Sequence, residues 1–289
     1  MSSTKDLICR VWRKFLRFFP QKVEFSLGEL MLQRGEVSHA QFAISALLMD
    51  IENYCDKGDA SFHYQNVGHK IRYGADSDVG ASNNRFRKTI DSVMQSGYRE
   101  DSLLDVGSDL TLHNGTHRTA ICLYLKRYGL RGNAFRYKSP FFLKTAKEFV
   151  KRMGFPQDYV DEVLGKYRLM QDALIADGVS YCCVYGGDQL PVFLNANNGV
   201  HIHKTYRLKP VTGAVGGGIL FKDDLLKDGG LLCQFTLDEP DYEIKGNKAI
   251  SRTCERMGKN DKSILQISKN CLEGKALYDL LSPYFDGLL

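Results

Sequence analysis

Hydrophobic residues recur at helical spacing in several parts of the chain. Residues 38–57 carry the clearest pattern, because apolar side chains return every three or four positions between Ser38, a favourable N-cap, and Gly58, a favourable C-terminal residue. This pattern predicts a helix over 38–57. Weaker versions of it predict helices over 85–96, 116–128, 142–152, 156–174, 248–257, 261–270 and 274–281.

Shorter apolar runs lie between these segments and have the character of strands. Residues 102–106 and 110–112 flank a turn at 107–109, and residues 179–194 form a longer β-like run. Residues 73–84 are rich in Gly, Asp, Ser and Asn, which predicts a loop. The alternation of short strands with helices predicts an α/β fold, with α+β as the alternative.

Residues 6–19 show a second kind of helical pattern, which ends before Pro20. One half of the helical wheel is apolar, and the other half carries Arg10, Arg13, Lys14 and Arg17. Such a helix can lie on an anionic membrane surface as a peripheral contact. It can also pack its apolar face on the body of the protein or on a second subunit. The four cations interrupt any signal-peptide core, and no small-residue cleavage site comes after them.

The net charge of +5 over 289 residues belongs to one end of the chain. Six of the 39 basic residues but only one of the 34 acidic residues lie in 1–22, so residues 23–289 carry 33 of each sign. A neutral body argues against a large nucleic-acid footprint. The hydrophobic content of 43% is that of a soluble globular protein. No run of about 18 apolar residues occurs, so a transmembrane helix is not expected.

The eight cysteines predict reduced thiols in a cytoplasmic protein, because they are scattered and none forms a C-x-x-C pair. A zinc site is not expected, since cysteines and histidines do not cluster at ligand spacing. His201 and His203 could lie on one side of a strand, but no third ligand is near in sequence.

Residues 110–129 carry the strongest chemical signal. A predicted strand turns at Asn114 and Gly115 directly into a predicted helix, and a helix N-terminus attracts phosphate through its free N–H groups and its dipole. Thr116 is expected to cap this helix, and Arg118 can hold a phosphate through two hydrogen bonds. The residues expected to contact phosphate are Asn114, Gly115, Thr116, His117, Arg118 and Thr119. The alternative is an ordinary capped helix with His117 and Arg118 on its surface.

Residues 113–120 resemble the D-G-x-H-R-x-x-A signature of the ParB/sulfiredoxin-like superfamily. The preceding residues 86–106 are also similar to that family, and the likeness covers about residues 84–138. It extends to ParB-like proteins of bacterial surface-polysaccharide gene clusters. The resemblance implies a small mixed-sheet α/β domain that binds a nucleotide phosphate at this turn.

The sequence departs from the family at three points. Asn114 replaces the usual acidic residue, and Thr116 stands where sulfiredoxins have their cysteine, so sulfinic-acid reduction is not expected. Arg118 is the one arginine of the motif, and no basic recognition helix is evident in the C-terminal half. The last two absences argue against a partition role on DNA.

A phosphotransferase also needs carboxylates, as a base and as ligands of magnesium. Glu100 and Asp101 lie at the loop between the predicted helix and strand, and with His117 and Arg118 they are the candidate catalytic residues; Asp91 and Asp105 lie nearby. The alternative for Glu100 and Asp101 is a solvated acidic loop. No metal site made of protein ligands alone is predicted.

These observations suggest an arm at 1–22, a ParB-like domain at 23–140, and a helix-rich α/β part at 141–289 that completes an acceptor site. The first hypothesis is an ATP- or CTP-dependent phosphotransferase or nucleotidase, working with Mg²⁺ on a sugar or amino-acid derivative in surface-glycan metabolism. The second is a non-catalytic nucleotide-responsive module, and the third, least favoured, is a ParB-type DNA-binding protein. We expect the protein to lie in the cytoplasm, with peripheral contact at the inner face of the membrane as an alternative. The oligomeric state stays open.

Overall fold

The protein has an α/β fold built on two sheets. The computed structural model describes residues 20–32, 36–73, 78–99, 103–135, 145–186, 199–210, 229–238, 241–260 and 264–289. Within these ranges the chain forms a six-stranded mixed sheet and a five-stranded antiparallel sheet, with helices packed against both.

The first sheet has the order β3-β2-β4-β1-β9-β8. Its strands are β1 (Gln21–Ser26), β2 (Leu104–Gly107), β3 (Leu112–Asn114), β4 (Gly129–Phe135), β8 (Tyr242–Lys245) and β9 (Lys248–Ser251). β2 runs parallel to β4, and β1 runs parallel to β9, whereas the other neighbours are antiparallel. The first sheet is therefore mixed.

The second sheet has the order β10-β5-β7-β6-β11. Its strands are β5 (Tyr181–Gly186), β6 (Val200–Leu208), β7 (Gly230–Leu237), β10 (Ile264–Ile267) and β11 (Phe285–Leu288). All eight residues of β7 are buried, because this central strand has neighbours on both edges and packed side chains on both faces.

Nine α-helices lie in the described part of the chain. They are α1 (Leu27–Met31), α2 (His39–Lys57), α3 (His63–Tyr73), α4 (Val79–Ser96), α5 (Thr116–Tyr124), α6 (Ala146–Met153), α7 (Gln157–Ala176), α8 (Arg252–Asn260) and α9 (Cys271–Leu281). The prediction for 38–57 is confirmed in detail: Ser38 forms a capping box with Gln41, and Gly58 closes the helix at φ +71°.

The main hydrophobic core draws on both halves of the sequence. One buried cluster joins the first sheet and α2 to Tyr167, Met170 and Leu174 of α7. β9 also pairs with β1, so the first sheet contains strands from both sides of residue 140. The first sheet and its core therefore extend across residue 140.

The described part of the loop expected at 73–84 is largely helical instead, and residues 74–77 lie outside the described residues. α4 begins at Val79, because the Asp78 carboxylate accepts the Gly80 N–H at 2.8 Å as an N-cap. Asn83 then reaches α3, where its side-chain amide donates to Asn66 Oδ1 at 2.7 Å. Cap and tertiary contact outweigh the low helix propensity of Gly, Ser and Asn in these turns.

The helix expected over 116–128 is shorter than predicted. It ends at Tyr124, since Lys126 adopts φ +53° and the Arg127 N–H turns back to the Cys122 carbonyl. Gly129, the predicted end of this helix, begins β4 instead. A lysine in the left-handed region leaves no signal in the sequence, because glycine is the usual residue there.

Two C-terminal helix predictions also fail in part. Residues 248–251 form β9 before α8 begins, and the segment predicted as a helix over 261–270 contains β10. Both stretches are short apolar runs, for which pattern alone does not separate strand from helix. Pairing with a neighbouring strand makes both stretches strands, because β9 pairs with β1 and β10 pairs with β5.

The amphipathic segment 6–19 lies outside the described residues, so its two interpretations stay open. Among the residues that are described, no helix combines the length and the apolar character that crossing a bilayer requires.

Candidate functional site

The predicted turn from strand to helix is present between β3 and α5. Gly115 is the N-cap residue and has φ +106°, a conformation that side chains of L-residues rarely adopt. A Cβ atom at this position would also lie 2.4 Å from Leu104 Cδ2, inside the sheet. Glycine is therefore required here by the backbone conformation and by packing against β2.

The N-terminus of α5 lacks the side-chain cap that was expected from Thr116. Thr116 is the first helical residue, and no side chain caps the helix at Gly115. The first N–H groups of an α-helix have no intrahelical acceptor, so they point beyond the helix end. Together with the helix dipole they create a local positive potential where β3 ends.

The Thr119 hydroxyl is committed to the helix itself. Thr119 is fully buried, and its Oγ1 donates to the Gly115 carbonyl at 3.1 Å, next to the backbone bond from the Thr119 N–H at 2.9 Å. In this conformation its hydroxyl hydrogen cannot also reach a phosphate. The Thr119 hydroxyl therefore stabilises the turn instead of making the phosphate contact expected from the sequence.

Arg118 lies against the turn. Its Nη1 donates to the Leu103 carbonyl at 2.9 Å, and its Nη2 would be 3.3 Å from a Cβ atom at Gly115. The half-buried guanidinium is thus held beside the helix N-terminus by the residue that precedes β2. A fixed cation at this position adds to the positive potential of the helix end.

His117 points away from the turn toward two other helices. Its ring packs edge-on against Phe86 of α4 at 4.8 Å between centroids, and its Nε2 contacts the side-chain amide of Gln65 on α3. These contacts make His117 a link between the turn and the α3–α4 layer. They favour a positioning role for this side chain over the phosphate contact expected from the sequence.

Three polar residues form a row across the first sheet, next to this turn. Asp105 of β2 lies opposite Asn114 of β3 on one side and opposite Asn133 of β4 on the other. Residues directly opposite each other point to the same face of a sheet. The Asn133 amide donates to Asp105 Oδ1 at 3.4 Å, and Asn114 is exposed. A carboxylate therefore lies opposite Asn114 on the neighbouring strand, although the motif itself has none.

Asp105 is only a secondary candidate from the sequence. Residues 104–106 do alternate, with Leu104 and Val106 buried and Asp105 between them on the other face. Alternation reveals the face but not the partner strand, so nothing in the sequence places Asp105 opposite Asn114. The two preferred carboxylates, Glu100 and Asp101, lie outside the described residues.

His201 and His203, the two histidines considered as metal ligands, make their contacts in the second sheet. His201 Nε2 lies 2.6 Å from Asp238 Oδ1, and His203 Nε2 lies 2.9 Å from Thr236 Oγ1, both across β6 and β7. No group of three or more His, Cys, Asp or Glu residues in the described part of the chain is arranged to hold a metal ion.

Comparison with known proteins adds no relative to this description. No protein-family model, no curated protein and no solved structure matches the chain.

Proposed function

We propose that this protein binds a nucleotide through its phosphates at the N-terminus of α5. The observation that carries the proposal is the uncapped helix N-terminus after Gly115, with the Arg118 guanidinium fixed beside it. Oriented N–H groups, a helix dipole and a bidentate cation are the usual elements of a phosphate site in proteins. The resemblance of residues 113–120 to the ParB/sulfiredoxin-like signature supports the same ligand.

The ligand on this view is ATP or CTP with Mg²⁺. Arg118 and the amides of Thr116 and His117 bind the phosphate oxygens. Asp105 and Asn114 offer oxygen ligands on the same face of the sheet, and Mg²⁺ is commonly held by one or two carboxylates together with substrate phosphates. The metal ion supplies neutralisation of the phosphate charge. Asp105 and Asn114 would hold and orient this ion.

The proposed reaction is phosphoryl transfer to, or hydrolysis at, a small sugar or amino-acid derivative in surface-glycan metabolism. Such a reaction depends mainly on positioning and charge stabilisation, which these residues can provide. We place it in a reducing compartment such as the cytoplasm, because the seven described cysteines are all unpaired.

Binding is tested by the melting temperature of the whole chain with ATP, CTP and GTP, each with Mg²⁺. A true site raises the melting temperature. Arg118→Ala should abolish the increase, whereas Arg131→Ala, which removes an exposed arginine paired with Glu24 on β1, should keep it. Asn114→Ala covers the case in which Arg118→Ala fails to fold, because Asn114 is exposed. An unchanged nucleotide effect in both site variants would refute the proposal.

A non-catalytic nucleotide-responsive module is the second candidate. The contacts of His117 with Gln65 and Phe86 favour it, since a ligand at the turn would bear on α3 and α4 through this side chain. Turnover separates the two candidates. If the protein is an enzyme, Asp105→Asn should still bind nucleotide but lose phosphate release or transfer. If it is a non-catalytic module, neither the parent protein nor this variant releases phosphate.

A further inference from the structure

A pocket of about 360 Å³ lies between α2, the start of α3 and the start of α7. This volume is within the range of pockets that hold small organic ligands. The polar residues that line it are Asp50, Asn53, His63, Asp158, Tyr159 and Glu162. Arg118 and the turn at Gly115 do not line it, so it is distinct from the proposed nucleotide site.

The pocket walls carry three carboxyl groups and no lysine or arginine among the described lining residues. Asp158 and Glu162 are one helical turn apart on α7, so both face the same side. Lys166, the next candidate partner on that helix, is paired with Glu52 at 2.5 Å. Lys57 reaches the rim only through the Asn53 side chain, to which it donates at 2.9 Å.

Asp50 forms the buried end of the pocket. It is 4% exposed and accepts the Tyr64 N–H at 3.2 Å, which ties it to the first turn of α3. Burial raises the pKa of this carboxyl to about 7, since the α3 amides only partly compensate for lost hydration. A cation bound in the pocket would stabilise the charged form of Asp50, which the protein itself stabilises only in part.

An aromatic wall borders the pocket beside the carboxyl groups. The Tyr159 ring lies 4.5 Å from the His63 ring, centroid to centroid. The Tyr159 hydroxyl is buried and has no hydrogen-bond partner within the described part of the chain. This oxygen is closed off from solvent, so Tyr159 presents its ring rather than its hydroxyl to a ligand in the pocket.

We propose that this pocket binds a small organic cation that carries a primary amine. The ammonium group lies between Asp50, Asp158 and Glu162, and the methylene chain packs on the Tyr159 ring. The pocket volume exceeds what a bare metal ion fills, and the aromatic wall supplies no ligand atom for such an ion. Amine binding here does not depend on nucleotide binding at α5.

The test uses the whole chain with agmatine and spermidine as probes and the uncharged 1,4-butanediol as their control, at constant ionic strength. At a hundredfold excess over the dissociation constant, an amine should raise the melting temperature by about 5 °C, and the diol should not. Absence of any shift with both amines would overturn the proposal. The same shift with Mg²⁺ or Ca²⁺ alone, dependent on Asp158 and Glu162, would also overturn it in favour of an inorganic cation.

Variants locate the effect in the pocket. Asp158→Asn combined with Glu162→Gln should weaken amine binding at least tenfold, and both residues are exposed, so folding is retained. Asp172→Asn is the matched control, because it removes an exposed acid of the same helix away from the pocket. Tyr159→Phe keeps the ring that lines the pocket and should leave amine binding unchanged. Equal affinity in the double variant and the control would refute the site.

Discussion

Single residues show how far local chemistry depends on the fold around it. Gly115 is recognisable in the sequence as the residue of a tight turn, and its φ of +106° agrees with that interpretation. Tertiary packing adds a second constraint, since a Cβ atom at this position would lie 2.4 Å from Leu104 Cδ2 on another strand. Asp50 is the opposite case, because it is an ordinary position in a predicted helix whose pKa is raised only by the helices around it.

The buried Asp50 carboxyl makes the stability of the protein depend on pH. Between pH 3.8 and about 7 the folded state keeps a proton that the unfolded chain has released, so the free energy of unfolding falls as the pH rises through this window. Asp50→Asn removes the titration and keeps an acceptor for the α3 amides. From pH 5 to pH 8 the variant should therefore lose about 2–3 kcal/mol less than the parent protein.

Urea unfolding at the two pH values measures this difference. Asp172→Asn serves as the control, because this carboxyl is exposed. An equal loss of stability in the parent protein and in Asp50→Asn would contradict the assignment of the raised pKa.

At the scale of elements, buried polar contacts join helices that are far apart in sequence. The Glu29 carboxylate completes a capping box with Ser26 at the start of α1 and also accepts the Cys271 N–H at the start of α9. It is 1% exposed, and burial raises its pKa. One side chain thus satisfies the N-termini of two helices, across a sequence separation of 242 residues.

Glu29→Ala should destabilise the protein by about 3 kcal/mol or more, because it leaves buried N–H groups at both helix ends without an acceptor. Glu273→Ala is the matched control: that carboxylate accepts the Lys269 N–H at 2.9 Å in an exposed position, and its loss should cost less than about 1 kcal/mol. Urea unfolding gives both values, and hydrogen exchange should be faster in α9 of the Glu29 variant alone. Equal costs in the two variants would contradict the bridging role.

At the scale of the molecule, the two halves of the sequence share one structure. Residues 23–140, the predicted ParB-like domain, contribute to four strands of the first sheet, and the C-terminal half supplies β8 and β9 together with the α7 residues that cover the core. The predicted domain is therefore continuous with the C-terminal half in both sheet and core.

A fragment of residues 23–140 should not fold alone. It would expose β1, which normally pairs with β9, and the surface of α2 that packs against Tyr167, Met170 and Leu174. Circular dichroism and amide NMR dispersion of the fragment, compared with the whole chain, test this expectation. A cooperative thermal transition in the fragment would instead support an independent domain.

The sequence by itself determined the α/β class, the capped helix over 38–57, and the succession of strand, Asn-Gly turn and helix at the candidate site. Each of these depends on neighbours within a few residues, through side-chain periodicity, capping and the conformational freedom of glycine. Tertiary structure alone decided that Asp105 lies opposite Asn114, that His117 packs on Phe86, and that 264–267 form a strand. These depend on pairing between distant segments, and alternation along one strand carries no information about which strand will lie beside it.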